Sequence, residues 1–184
     1  MKTIVLLLAV SLLALGCVVP GGEAKALAGY QAVLAKYGLG ADAFMPAHPV
    51  DVLGFESEMK AVKEAAGASG SAEGRALEKA ADIELDVAAA LKKMFEGREH
   101  LKVVGIIAPD CSKDGAAGKA RAAFEEAATR ARLALEKKKI LEKDFANFMD
   151  RFAGVAGPDF DRYVAYLAIT NTAAAKQLES RCRK

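Results

Sequence analysis

The sequence predicts an all-α protein, a bundle of about five helices that ends in a long C-terminal helical hairpin. Two observations carry this prediction. Apolar residues recur at intervals of three and four over most of the chain, which is the period of a helix with one buried face. Glycine and proline fall between these segments, and only residues 101–108 have the β-branched apolar character of a strand.

Two short helices are predicted in the N-terminal part of the chain. The first runs from Glu23 to Tyr37 and ends at Gly38, because glycine after the last apolar position is a helix stop signal. The second runs from Val50 to about Ala66. Its apolar residues are spaced to share one face, and these are Val52, Phe55, Met59, Val62 and Ala66.

A third helix is predicted from the N-cap Ser71 to residue 95 or 96, and Gly97 is expected to end it. The short breaker at residues 67–70 makes this helix an antiparallel neighbour of the second. The β-branched run at residues 101–108 has no strand to pair with, so we expect an ordered connector that packs on the bundle. The inward residues of the third helix are predicted to be Ala76, Leu77, Ala80, Ile83, Val87, Leu91 and Met94.

The C-terminal hairpin is predicted from the longest helical pattern in the chain. Its first helix begins at Ser112 or Asp114 and continues to about Phe152. Pro158 then occupies the first turn of the last helix, where a missing N–H is tolerated. The hydrophobic centre of the hairpin is expected to contain Phe124, Leu135, Phe145, Phe148, Tyr163 and Leu167.

The N-terminal segment has a pattern of its own. Lys2 is followed by an apolar run from Ile4 to Leu15 that only Ser11 interrupts. Such a run rises about 18 Å as a helix, which is too short to cross roughly 30 Å of hydrocarbon. The basic start, the short apolar run and the small residues after it predict a secretion signal that the mature chain lacks.

The junction Ala14-Leu15-Gly16-Cys17 resembles the cleavage site of bacterial lipoprotein precursors. The resemblance covers residues 1–17 and implies cleavage before Cys17, a lipid on Cys17 and attachment to a membrane through that lipid. The chain is thereby divided into three parts, which are a signal peptide (1–16), a lipidated tether (17–22) and a single helical-bundle domain (23–184).

The residue after the cysteine and the overall charge bear on location and partners. Val18 follows the cysteine where an aspartate could stand, and this resembles lipoproteins that are sorted to an outer membrane or the cell surface, in a cell that has more than one membrane. The formal net charge is +2, and the basic run Lys137 to Lys139 is interleaved with acidic residues. Nucleic acid is therefore excluded as a partner, and the expected partners are the membrane and a protein.

The remaining cysteines, Cys111 and Cys182, are predicted to form a disulfide, since exported proteins keep such bonds; two unrelated thiols are the alternative. The geometry of the hairpin constrains this pairing. A straight helix over residues 114–152 would be nearly 60 Å long, whereas the last helix reaches back only about 40 Å. Either the long helix breaks early, near Gly115 and Gly118, or the cysteines do not pair. We favour the early break, because glycine weakens a helix.

Two groups of polar residues are candidates for metal chemistry. Glu78, Asp82 and Asp86 share one helix face, but neither histidine follows a glutamate at the spacing that di-iron bundles use. A salt-bridged or solvated face is therefore favoured for this acidic stripe. Met45 and His48 are candidate ligands for a soft metal such as Cu(I), with a packing role for Met45 as the alternative. Two ligands do not make a site, so no metal or other cofactor is predicted.

The chain carries no recognisable catalytic apparatus. The run from Gly115 to Lys119 departs from the phosphate-binding loop in its spacing, and Ala120 stands where Mg²⁺ binding requires serine or threonine. The Gly-x-Ser-x-Gly elbow of hydrolases is missing, and neither cysteine has an evident histidine partner. An enzyme is therefore not predicted.

The sequence is best interpreted as a membrane-anchored lipoprotein of the cell envelope that acts as a structural or protein-interaction module. The anchor signal and the missing catalytic motifs carry this interpretation. The alternative is a periplasmic ligand- or metal-binding bundle, with its site in the bundle interior or at Met45 and His48. An exposed apolar patch would favour the first function, and an enclosed cavity lined by aromatic residues would favour the second.

Overall fold

The computed structural model describes residues 21–39, 45, 48–104 and 109–183. Within these residues the chain forms α-helices and one short 3-10 helix, without a strand, which confirms the all-α prediction. The helices are α1 (Gly22–Lys36), α2 (Pro49–Ala68), α3 (Ala72–Leu101), α4 (Ala116–Asp144) and α5 (Pro158–Cys182), and the 3-10 helix is Ala146–Arg151. The predicted signal peptide and Cys17 lie outside the described residues. Of the helices described, none combines the length and the apolar character that crossing a membrane requires.

Several helix ends follow their sequence signals. The Ser71 side chain caps α3 by accepting a hydrogen bond from the Gly74 N–H at 2.9 Å. Pro158 opens α5 after Gly157, whose φ of +88° is a conformation that glycine adopts without strain. The five residues predicted to form the inward face of α2 are all buried. Local capping signals and the helical period therefore account for these two helix starts and for the buried face of α2.

The prediction that Gly97 ends the third helix is wrong, since α3 continues to Leu101. Gly97 is buried, and a Cβ atom added there would lie 2.8 Å from the Phe124 ring. The glycine therefore allows α4 to approach α3 closely instead of stopping the helix.

The predicted connector is only partly packed, because Val103 is 72 % exposed while Val104 contacts the smaller hydrophobic cluster near the disulfide. Residues 105–108 lie outside the described part.

The hairpin is shorter than a continuous helix to Phe152 would make it. α4 begins at Ala116 and ends at Asp144, after which the chain turns through the 3-10 helix. With 29 residues in α4 and 25 in α5, the two helices are about 44 Å and 38 Å long. Their matched lengths bring Cys182 to Cys111, and the structure joins them by a disulfide with a Cα–Cα distance of 5.6 Å. The pairing was predicted correctly, but the break expected near Gly115 and Gly118 was not, because α4 runs through Gly118 and is shortened mainly at its C-terminal end, where it stops at Asp144.

Consecutive helices pack as neighbours, and α3 is the central one because it contacts α1, α2, α4 and α5. α2 runs antiparallel to α3, as the ion pairs Lys63–Asp82 and Lys92–Glu56 show. Gly22, at the start of α1, is close to Ser69, since a Cβ atom added to Gly22 would lie 3.9 Å from the Ser69 side chain. The end of the domain nearest the N-terminal tether is therefore the turn between α2 and α3, and the disulfide lies at the opposite end of α5.

The main core is not centred on the C-terminal hairpin, which corrects the prediction from the sequence. Of the six residues expected there, Leu167 is buried in the main core, and Leu135, Phe145, Phe148 and Tyr163 are only partly buried against it. Phe124 belongs to a second, smaller cluster with Leu178 near the disulfide. The large side chains that are fully buried come from every part of the chain and include Tyr30, Phe55, Met59, Leu77, Ile83, Phe152 and Phe160. Phe145 and Phe148 pack against the edge of this core, where α4 has ended and the chain enters the 3-10 helix.

Candidate functional site

The outer side of the last helix carries an apolar stripe. Tyr166, Ile169 and Ala173 lie at i, i+3 and i+7 along α5, so they share one face of the helix. Tyr166 is 68 % exposed and Ile169 is 67 % exposed, although the isoleucine side chain is wholly apolar and the tyrosine ring largely so. Scattered exposed apolar residues are ordinary, but a contiguous stripe beside a groove indicates an interaction surface.

A groove of about 310 Å³ runs beside this stripe, between α4 and α5. We call it the α4–α5 groove and define it by its lining residues, which are Arg132, Ala168, Ile169, Thr172, Ala173 and Lys176. A hollow of about 270 Å³ continues it toward the disulfide end and adds Glu125, Ala128, Thr129, Ala175 and Glu179 to the lining. The lining alanines Ala128, Ala168 and Ala175 are buried and small, so they form a floor that another backbone can approach closely.

Among the described residues, the acidic side chains along the α4–α5 groove have ion-pair partners, whereas two of its basic side chains have none. Arg132 donates a hydrogen bond to the Thr172 hydroxyl at 2.7 Å, but within the described residues neither Arg132 nor Lys176 has a carboxylate at ion-pairing distance. At the disulfide end, Glu125 and Glu179 are paired with arginines of their own helices. The groove therefore carries two positive charges that the described part of the fold leaves uncompensated.

A second unusual feature is a carboxyl buried between α1, α3 and the chain after the 3-10 helix. Glu84 is 0 % exposed, and its Oε1 accepts a hydrogen bond from the Tyr30 hydroxyl at 3.3 Å. Its Oε2 has no hydrogen-bond partner among the described residues. A Cβ atom on Gly154 would lie 2.0 Å from Oε1 and 2.7 Å from the Tyr30 hydroxyl, so only glycine fits over this pair.

Burial raises the pKa of Glu84 to about 8, against an ordinary value of 4.5, and the Tyr30 hydrogen bond offsets only part of that effect. Burial and then the charge of Glu84 also raise the pKa of Tyr30, and burial with the same charge raises that of Tyr163 to about 12. Lys138 is also buried, and its Nζ lies 2.6 Å from Glu142 and 2.9 Å from Asp161. Glu84 is thus a buried acid that burial keeps protonated near neutral pH.

We expect this carboxyl to make the stability of the domain depend on pH. The folded chain holds the proton to a higher pH than the unfolded chain does, so the free energy of unfolding falls as pH rises from 4.5 to about 8. Glu84→Gln keeps the shape without the charge. Its stability relative to the wild type should increase by roughly 3 kcal/mol between about pH 5.5 and pH 8, measured by urea unfolding. Glu64→Gln, on the exposed face of α2, is the matched control and should show no such trend. Parallel pH profiles for the wild type and Glu84→Gln would contradict this expectation.

Two residues of the acidic stripe of α3, Asp82 and Asp86, form a salt-bridged seam, which is one of the two interpretations favoured from the sequence, whereas Glu78 is in no ion pair among the described residues. Asp82 pairs with Lys63 and Lys137, and Asp86 pairs with Lys137 and with Arg130 at 3.4 Å. The seam joins α3 to α2 and α4. The described residues contain no group of three or more histidine, cysteine, aspartate or glutamate side chains placed to hold a metal ion.

The two candidate metal ligands are found in different surroundings. Met45 is buried in the main core, whereas His48 is exposed at the residue before α2 and makes no capping hydrogen bond. Met45 therefore packs in the core, as the alternative interpretation had it. Among the described residues, its surroundings supply hydrophobic contacts, and no group of metal-binding side chains is found.

Sequence reasoning missed both the buried carboxyl and the groove. A signal for Glu84 was present, because it lies seven residues after Leu77 and three before Val87 on the inward stripe of α3. For the groove the signal was weaker. Tyr166 and Ile169 are apolar residues that do not fit the inward stripe of α5, and such residues mark a second apolar face.

No protein-family model matches the chain, and comparison with curated proteins and with solved structures finds no significant similarity. An all-α architecture supports many unrelated activities, so fold class alone does not determine function. The α4–α5 groove and the Glu84 cluster are the local features from which a function can be inferred.

Proposed function

We propose that this chain is a lipid-anchored protein of the cell envelope, without catalytic activity, whose helical domain acts as a protein-interaction module. The observation that carries the proposal is the α4–α5 groove with its exposed neighbours Tyr166 and Ile169. An exposed apolar stripe beside a groove marks an interaction site, because a partner that covers it removes apolar surface from water. The groove is open along its length, which suits a polypeptide better than an enclosed small molecule.

The proposed anchor follows from the N-terminal sequence. The lipoprotein-like junction ends at Cys17, and α1 begins only five residues later, at Gly22. A tether that short spans at most about 17 Å, so the domain would stay close to the membrane surface. The disulfide between Cys111 and Cys182 supports export, because such bonds persist in oxidising compartments.

The anchor is tested by substituting the cysteine that would carry the lipid. Cys17→Ser should either release the domain from the membrane fraction or leave the precursor uncut, because the lipid is its attachment. Intact-mass measurement of the wild type should show a chain that begins at Cys17 with acyl groups added. Cleavage at another residue, without acyl groups, would refute the lipoprotein assignment.

The interaction is tested by placing a charge in the apolar stripe. Wild-type chain extracted from the envelope in mild detergent should migrate in a complex larger than the monomer. Ile169→Asp should return it to the size of the monomer, since the carboxylate would be desolvated in the interface. Leu53→Asp, at a 52 % exposed position of α2, is the matched control and should leave the complex intact. A monomeric wild type would contradict the proposal, as would a complex that Ile169→Asp leaves unchanged.

The ligand-binding alternative makes a different prediction. A metal held at Met45 and His48 would raise the melting temperature of the wild type but not of His48→Ala, because only the folded site binds it. Cu(I) or Zn²⁺ at about a hundred times the dissociation constant would stabilise the fold by nearly 3 kcal/mol. We expect no such shift, since His48 is exposed and Met45 is packed in the core.

A further inference from the structure

We propose that the α4–α5 groove binds an amphipathic helix of a partner protein, one that presents an apolar stripe flanked by acidic side chains. This inference rests on the proposed function and specifies the chemistry of the partner. Three properties of the groove lead to it, and these are the spacing of its apolar residues, the size of its floor residues and its uncompensated charge.

The spacing of the exposed residues fits a helix. Tyr166, Ile169 and Ala173 extend over seven residues of α5, which is two turns or about 10 Å. Two adjacent antiparallel helices, here α4 and α5, form between them a furrow that accepts the side-chain ridge of a third helix. The stripe forms a ridge along α5, and a partner helix whose own apolar residues recur at i, i+3 or i+4 and i+7 can pack beside it in the furrow.

The floor of the groove allows a close approach. Ala168 and Ala173 are among its lining residues, and Ala128 and Ala175 line its continuation toward the disulfide. Because a methyl group projects little from a helix, the partner's larger apolar side chains can fill the furrow while Tyr166 and Ile169 cover their flanks. The interface is small, so the contact should be a reversible one.

The charge of the groove selects the flanking residues of the partner. Arg132 is oriented by its hydrogen bond to Thr172, and Lys176 lines the same furrow. The nearby carboxylates Glu125 and Glu179 are engaged by Arg121 and Arg183 and leave these two cations uncompensated. A carboxylate on the partner would form charge-assisted hydrogen bonds with them, which are roughly twice as strong as neutral ones. A partner helix with basic flanks would be repelled.

A lipid surface is a poorer occupant than a helix. The groove is concave, whereas a bilayer surface is flat. A bilayer would also require several cations on one plane. The groove offers one cation on each side of an apolar furrow, Arg132 from α4 and Lys176 from α5. This arrangement matches a helix face that is both acidic and apolar.

Two designed peptides test the inference on the full chain in detergent. Both are helices of about 18 residues with the same leucine stripe, one flanked by glutamates and the other by lysines. By fluorescence anisotropy the glutamate peptide should bind roughly tenfold more tightly than the lysine peptide. Arg132→Glu combined with Lys176→Glu should reverse this preference, whereas Lys25→Glu, on the exposed side of α1, should leave it unchanged. Ile169→Asp should weaken the binding of both peptides.

The outcomes separate this inference from the proposed function. If neither peptide binds, while the native complex persists and Ile169→Asp still dissociates it, the partner is not an acidic helix and the interaction module stands. Equal binding of the two peptides would overturn the charge selection. Binding of phosphatidylglycerol vesicles that is lost in the Arg132→Glu and Lys176→Glu variant would assign the groove to a lipid surface instead.

Discussion

Phe152→Ala should lower the free energy of unfolding by about 3–5 kcal/mol, which is enough to unfold a domain of ordinary stability. Phe152 is 0 % exposed, and its ring meets that of Tyr30 edge to face at a centroid distance of 6.2 Å. The substitution leaves a cavity where α1 meets the chain after the 3-10 helix. It also loosens the segment that holds Gly154 over Glu84, so the Tyr30–Glu84 hydrogen bond should weaken.

Phe148→Ala is the matched control for this prediction. Phe148 differs from Phe152 in being only partly buried against the core, so its truncation should cost distinctly less. Urea unfolding of both variants, followed by circular dichroism, measures the difference. An equal loss of stability at the two positions would mean that the core is centred on the hairpin after all, as the sequence alone suggested.

Cys182→Ser should cost roughly 4 kcal/mol of stability. The bond between Cys111 and Cys182 closes a loop with a sequence separation of 71, and opening it restores the conformational entropy of the unfolded chain. It also frees the ends of α4 and α5 near the smaller hydrophobic cluster of Phe124 and Leu178. Thermal unfolding with and without reductant should show a large decrease in melting temperature for the wild type alone.

A double substitution identifies the bond as the source of this stability. Since either serine removes the same cross-link, Cys111→Ser with Cys182→Ser should be about as unstable as either single variant. Additive losses would show that the side chains stabilise the fold by packing and not through the bond. Two alkylatable thiols in freshly isolated wild type would show that the bond is absent from the native protein.

Helix positions could be predicted from the sequence wherever one local signal decides them. The inward face of α2 follows from spacing alone, and the Ser71 cap and Pro158 mark their helix ends directly. Gly97 could not be interpreted in this way, because glycine both ends helices and allows close approach. The Phe124 ring that makes the second role necessary comes from α4, a different part of the chain.

The candidate site could be predicted only in part, for a related physical reason. The helical period places Glu84 on the inward side of α3, but its missing ion pair depends on which side chains the other helices bring near it. Likewise, Tyr166 and Ile169 form a surface only because no described helix covers that side of α5. The disulfide was predictable from the count of cysteines and the expected export, whereas the length of α4 was predicted wrongly because the turn after Asp144 carries no glycine or proline signal.

The central claim is that the α4–α5 groove meets a protein partner in the envelope, and site-specific photo-crosslinking in intact cells tests it most directly. A crosslinking residue at position 169 should yield one discrete protein adduct of the lipidated chain. The same residue at the exposed position Ala65 of α2 should yield none. The adduct at position 169 should disappear when Arg132 and Lys176 are both changed to glutamate. Absence of an adduct at position 169, or equal adducts at both positions, would contradict the claim.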